Sequence, residues 1–151
     1  MYSSLFVNTS ASLDEFLSAV RREFAFLESE FGFTDQGTGA NPFSVIYRSD
    51  RTAVEVEGTQ WGFGTQVMLS RLQPSVGTPR FVPLWAILQL RAPDGERLVS
   101  GQLQQLAIDA SSLRRYAADV LQGDFTSFPA AMRVVERAAT EDAKPVRRKV
   151  P

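Results

Sequence analysis

The sequence predicts an α+β fold: an N-terminal amphipathic helix, an antiparallel meander of three strands (four if residues 83–91 are extended), and C-terminal helices packed on one sheet face. Three observations carry this. Apolar residues recur every three or four positions over residues 13–31 and again from residue 103, whereas between these segments they alternate with polar ones. The alternating runs are joined by short polar turns, which suit antiparallel neighbours and are too short for parallel crossovers. Finally, the 151 residues are 44% apolar, enough to close one core at ordinary domain size.

The first helix spans residues 13–31. Ser12 and Glu15 have the spacing of a capping box, in which a hydroxyl and a carboxylate satisfy two N–H groups left free at a helix start. Leu13, Phe16, Leu17, Val20, Phe24, Leu27 and Phe31 draw one stripe, and Gly32 sits where a left-handed C-cap belongs. Residues 34–42 read as a flexible connection. Gly37 and Gly39 make no phosphate cradle, because no Lys-Ser/Thr pair follows them.

Strands are expected at 43–48, 52–57 and 63–72. Phe43, Val45 and Tyr47 share one face of the first, Val54 and Val56 oppose Glu55 and Glu57 in the second, and Val67 and Leu69 point inward in the third. Residues 58–64 form an aromatic-bearing glycine loop with no helix start behind it to hold a pyrophosphate. Residues 83–90 fit a short helix, with Pro83 in its first turn, or a strand; the helix is preferred. Leu103, Leu106, Ala107, Ala110, Leu113, Ala117, Val120 and Leu121 keep one helical phase up to Gly123, and Ser111-Ser112 can start a second helix within it. Ser127 is placed to cap a last helix that carries Pro129 in its first turn and buries Phe128, Ala131, Met132, Val135, Ala138 and Ala139. Residues 1–142 are thus expected to be a single α+β domain and residues 143–151 a basic disordered tail.

Composition removes most catalytic chemistry. With no Cys and no His, thiolate nucleophiles, imidazole bases and the common zinc sites are absent. Both lysines, Lys144 and Lys149, stand in the tail, away from any buried Schiff-base position. Glu55 and Glu57 share a strand face and read as its wet side rather than as a glycosidase pair. Asp50, Asp94 and Asp124 sit in separate turns, where acids serve turn geometry before metal binding. No catalytic, cofactor-binding or metal-binding residue is therefore expected, and no cofactor. The chain carries a net −1 with +4 in its last eight residues, which leaves −5 on the other 143. An acidic body argues against nucleic acid as the partner. No apolar run is long enough to span a membrane, and the first residues lack a basic start followed by a long apolar run, so a cytoplasmic location is expected.

FAFLESEFGF at 24–33, VIYRS at 45–49, AVEVE at 53–57 and LRRYAADVLQGDF at 113–125 give the chain a pattern that resembles small bacterial α+β proteins, including immunity proteins of polymorphic-toxin systems. The resemblance implies a cytoplasmic, non-enzymatic binder that occludes a toxin domain; it carries over no site residue. A secretion-chaperone-like protein that binds extended peptide is the alternative, and a carboxylate-based enzyme stands third. The residues themselves point to a protein-binding edge at Arg48, Asp50, Arg51, Trp61 and Phe63, since aromatic and Arg side chains on loops of a rigid sheet supply most interface energy. Trp61 and Phe63 read either as this interface or as a lid on the core. The oligomeric state is not legible.

Overall fold

A five-stranded antiparallel sheet in the order β1-β2-β3-β4-β5 is the frame of the computed structural model, which describes residues 12–59, 64–73, 76–94 and 101–143. The elements are α1 (Leu13–Glu23), α2 (Phe26–Phe31), β1 (Thr34–Asp35), β2 (Ser44–Arg48), β3 (Thr52–Thr59), β4 (Gly64–Arg71), β5 (Phe81–Pro83), α3 (Leu84–Arg91), α4 (Gln102–Tyr116), α5 (Ala118–Leu121) and α6 (Phe128–Ala143). The expected α+β class and antiparallel meander are present, with five strands instead of three or four.

The capping box at the start of α1 is complete: the Glu15 N–H donates to Ser12 Oγ (3.2 Å) and the Ser12 N–H to Glu15 Oε1 (2.9 Å). The expected single helix over 13–31 is corrected to two, with a break at Phe24 and Ala25. A continuous helix would turn Phe26 away from the stripe. At the break the bonding tightens, with Leu27 N–H to Phe24 C=O at 3.0 Å, and Phe24, Phe26 and Leu27 all become buried. Phe26 then stacks on Phe24 and meets Phe31 edge-on. Gly32 closes α2 in the left-handed conformation (φ 73°), as expected.

Residues 34–42, expected as a flexible connection, open with β1 and continue as a segment tied to the sheet. Gln36 and Gly37 together oppose Ile46, a bulge continuing β1 along β2. Asn41 then ties the segment across the sheet: its Nδ2 donates to the Gly58 C=O (3.1 Å), and its Oδ1 accepts the Phe43 N–H (2.9 Å). Gly39 lies so close to the sheet that a Cβ there would meet Ile46 Cδ1 at 2.9 Å. β1 is held from the other side by the ion pair of Asp35 with Arg21 of α1 (2.8 Å).

Residues 84–91 are helical, as preferred, but Pro83 precedes the helix instead of lying in its first turn. It ends β5, because it has no N–H to extend the ladder, and stands at the N-cap of α3. Ser111-Ser112 starts no new helix. α4 runs through it and stops at Ala117, where Arg91 of α3 donates to the Tyr116 C=O (2.7 Å) and grips Asp119 of α5 with both of its terminal nitrogens (2.7 and 2.8 Å). Gln102, not Leu103, is the buried residue at the start of α4; its Nε2 donates to the Gly64 C=O (2.9 Å). Ala107 faces solvent. Ser127 makes no side-chain cap: its Oγ is buried without a hydrogen-bond partner among the described residues. In α6 Val134 is buried, while Ala138 is half-buried and Ala139 exposed. α6 runs to Ala143, where the sequence places the start of the tail; residues 144–151 lie outside the described residues.

Val45, Tyr47, Val54, Val56, Val67, Leu69 and Val82 of the sheet share one core cluster with Phe16 and Val20 of α1, Leu106 and Leu113 of α4, and Phe128 of α6. The opposite sheet face keeps Glu55, Glu57, Gln66 and Met68 half-buried. Among the described residues no helix is long and apolar enough to cross a membrane.

Candidate functional site

Of the five residues singled out by composition, three lie among the described residues. Arg48, Asp50 and Arg51 are exposed in and beside the β2–β3 turn, where Ser49 Oγ accepts the Thr52 N–H (3.0 Å). Trp61 and Phe63 lie outside the described residues. Their flanking residues, Thr59 and Gly64, pair at the far end of β3. The eight residues of β3 place that end about 23 Å from the turn, at ~3.3 Å per residue. Consecutive hairpins of a meander put their turns at opposite ends of the shared strand, so the flanks of residues 60–63 stand away from Arg48, Asp50 and Arg51. Arg51 turns toward the α5–α6 connection instead, where it packs on Gly123.

A different site emerges where β5 leaves the sheet. β4 pairs with β5 only over Met68, Leu69 and Ser70, so its first half, Gly64 to Val67, has no strand on that side among the described residues. As the chain turns from Pro83 into α3, a cleft of ≈ 90 Å³ opens between β4, α3 and α4. Val67, Leu84, Leu88 and Ile108 make its walls apolar, and Trp85, 42% exposed, stands in its lining.

Asp109 of α4 is the charged group of this cleft. Thr65 Oγ1 of β4 donates to its Oδ2 (2.7 Å), and Gln105 Nε2, one helical turn earlier, donates to its Oδ1 (2.9 Å). Burial pushes the Asp109 carboxyl above the ordinary aspartate range, with the two hydrogen bonds opposing. Among the described residues no Arg or Lys forms an ion pair with it. Two acids that do have an ion pair contrast with it: Asp35 beside Arg21 and Asp119 beside Arg91 are held below the usual carboxylate range.

Three further acids lie away from the cleft. Glu55 and Glu57 lie on the outer sheet face, where burial and then the Glu57 charge raise the Glu55 carboxyl. Asp124 accepts the Thr126 N–H (3.0 Å) in its own turn. Among the described residues no three acidic side chains gather to hold a metal ion.

Neither Asp109 nor Trp85 is prominent in the sequence. The available signals are an acid inside the apolar stretch Ala107, Ile108, Ala110, and a Trp in a segment that fits helix and strand alike. No family model, curated protein or solved structure matches the chain.

Proposed function

We propose that the protein is a non-enzymatic binding module that covers a surface of another protein, the mode of action of an immunity-type neutraliser. Its contact surface is centred on the β5–α3 corner. One observation carries this reading: Phe81 (50% exposed) and Trp85 (42%) are the two exposed aromatic side chains among the described residues, and they stand four residues apart at the same sheet edge. Phe81 pairs with Ser70 on the outer sheet face, and Trp85 lines the cleft around the corner. Large aromatic side chains are the usual anchors of interfaces, each worth about 2 kcal/mol or more when buried by a partner. The absence of His and Cys from the sequence supports a task that needs no thiolate nucleophile or imidazole base.

The first half of β4, which has no strand beyond it among the described residues, supports one further reading, addition of an extended peptide as a strand, as in a secretion-chaperone-like protein. Both readings are tested by immobilising the wild type and a Phe81→Ser/Trp85→Ala double variant on native lysate and identifying what each retains. A stoichiometric protein held by the wild type and lost from the variant, at unchanged melting temperature, is the expected result. Equal retention by the two would move the interface elsewhere. A folded globular partner fits the neutraliser, whereas an unfolded or extended one fits the peptide-binding alternative.

A further inference from the structure

We propose that the cleft beside Asp109 receives the cationic tip of a Lys or Arg side chain presented by the protein partner. The inference rests on the binding-module reading for its partner, but the site itself stands on the cleft. A carboxylate offers about four acceptor positions. Thr65 and Gln105 take one on each oxygen of Asp109, which leaves acceptor capacity for a ligand's N–H groups. Both donors are neutral, so they fix the carboxylate without cancelling its charge. The residues before Lys144 carry a net −5, so the long-range field of the body favours approach of a basic group over an anion.

The walls match the rest of such a side chain. Val67, Leu84, Leu88 and Ile108 suit the methylene stem of Lys or Arg, which packs on apolar surface while its head stays with a polar group. Trp85 adds an indole to the same lining, and an indole face attracts a cation more strongly than any other aromatic side chain does. Size narrows the ligand further. The ≈ 90 Å³ of the cleft falls well below the roughly 300 Å³ and more of pockets for whole cofactors or drug-sized ligands, which suits the tip of one side chain. The polar pair Thr65–Asp109 joins β4 to α4, so the charge sits on two packed elements and not on a loop.

The test uses the full chain, isotope-labelled, titrated with n-butylammonium chloride and with n-butylguanidinium chloride, each against n-butanol and sodium chloride. Saturable shifts of the Trp85 indole N–H and of the Thr65 to Val67 amides are expected with the organic cations alone. Affinity should fall roughly tenfold in Asp109→Asn, where the amide keeps a partner for Thr65 and for Gln105 but loses the charge. Trp85→Leu should weaken both cations several-fold with the carboxylate intact, and it decides the matter if Asp109→Asn does not fold. Shifts no larger than those from sodium chloride or n-butanol, or affinities unchanged in Asp109→Asn and Trp85→Leu, would overturn the site. Failure here leaves the pull-down comparison standing. Saturable cation binding combined with equal retention of partners by the Phe81→Ser/Trp85→Ala variant would instead move the partner's contact surface away from the β5–α3 corner and leave the cleft a site for a free organic cation.

Discussion

Gly123 holds a φ of 93°, a backbone conformation that side chains disfavour, and Arg51 folds over it so closely that a Cβ would meet Arg51 Cδ at 2.5 Å. Gly123→Ala should therefore cost about 1–2 kcal/mol from the backbone alone, plus the displacement of Arg51. Urea unfolding measures the sum. The same substitution in an Arg51→Ala background should recover only the second share, and full recovery would show that backbone strain plays no part. Asp119 yields a pH-dependent prediction. Its carboxyl is held below the ordinary value by the hydrogen bond and then the charge of Arg91, so its stabilisation is present above the unfolded aspartate value and lost as pH falls through the lowered folded one. Asp119→Asn should cost about 1 kcal/mol above roughly pH 5, the level of a part-exposed bidentate pair. The gap to the wild type should close on acidification below about pH 4. A gap constant from pH 7 to pH 2 would show that Asp119 acts through shape and not charge. Neither Gly123 with Arg51 nor Arg91 with Asp119 is legible as a pair in the sequence, because 72 and 28 positions separate the partners.

At the scale of the element, the junction between α1 and α2 shows how packing overrides periodicity. The stripe Phe16, Val20, Phe24, Leu27 is real and buried. The chain nevertheless breaks at Phe24 and Ala25, because a third aromatic, Phe26, also gains from burial and an ideal helix has no room for it on that face. Phe24 is fully buried at the pivot, so Phe24→Ala should destabilise by roughly 3–5 kcal/mol in denaturant unfolding. A loss below about 1 kcal/mol would mean that the junction collapses to fill the space. The segment 36–43 makes the complementary point. Its Gly, Asn, Thr and Pro content is that of a loop, and it has no regular period. It is nonetheless ordered by Asn41 and by the bulge at Gln36 and Gly37, whose partners come from β2 and β3.

Across the whole molecule a single core joins all the longer helices to the sheet, and polar ties reinforce it at the rim. Thr52 of β3 donates to the Val120 C=O of α5 (2.9 Å), Arg114 of α4 pairs with Glu30 of α2, and Arg91 spans α3, α4 and α5. Among the described residues no group of elements has a core of its own, so equilibrium unfolding should be one cooperative transition. In a Trp61→Phe variant, where Trp85 alone reports by fluorescence, its urea midpoint should coincide with that of far-UV circular dichroism. Separate midpoints would reveal that the α3 corner opens independently of the sheet, as binding surfaces of low local stability do.

The features legible in the sequence are those whose partners lie within one turn or one strand. The capping box joins Ser12 to Glu15, Gly32 supplies the left-handed cap, and the alternation of Val54 and Val56 with Glu55 and Glu57 marks a half-buried strand. These are local hydrogen bonds and local periods, so they are written in neighbouring residues. Tertiary structure alone decides the two edge strands. β1 and β5 have two and three residues, too few to show a period, and they exist because β2 and β4 offer backbone groups to any chain laid beside them. It also decides where the hairpin turns lie relative to one another, and so separates Arg51 from the flanks of residues 60–63. The Asp109 cleft belongs to this second class. Thr65 and Asp109 stand 44 positions apart, and only the departure of β5 at Pro83 and the packing of α4 over β4 bring a carboxylate and an indole to one place.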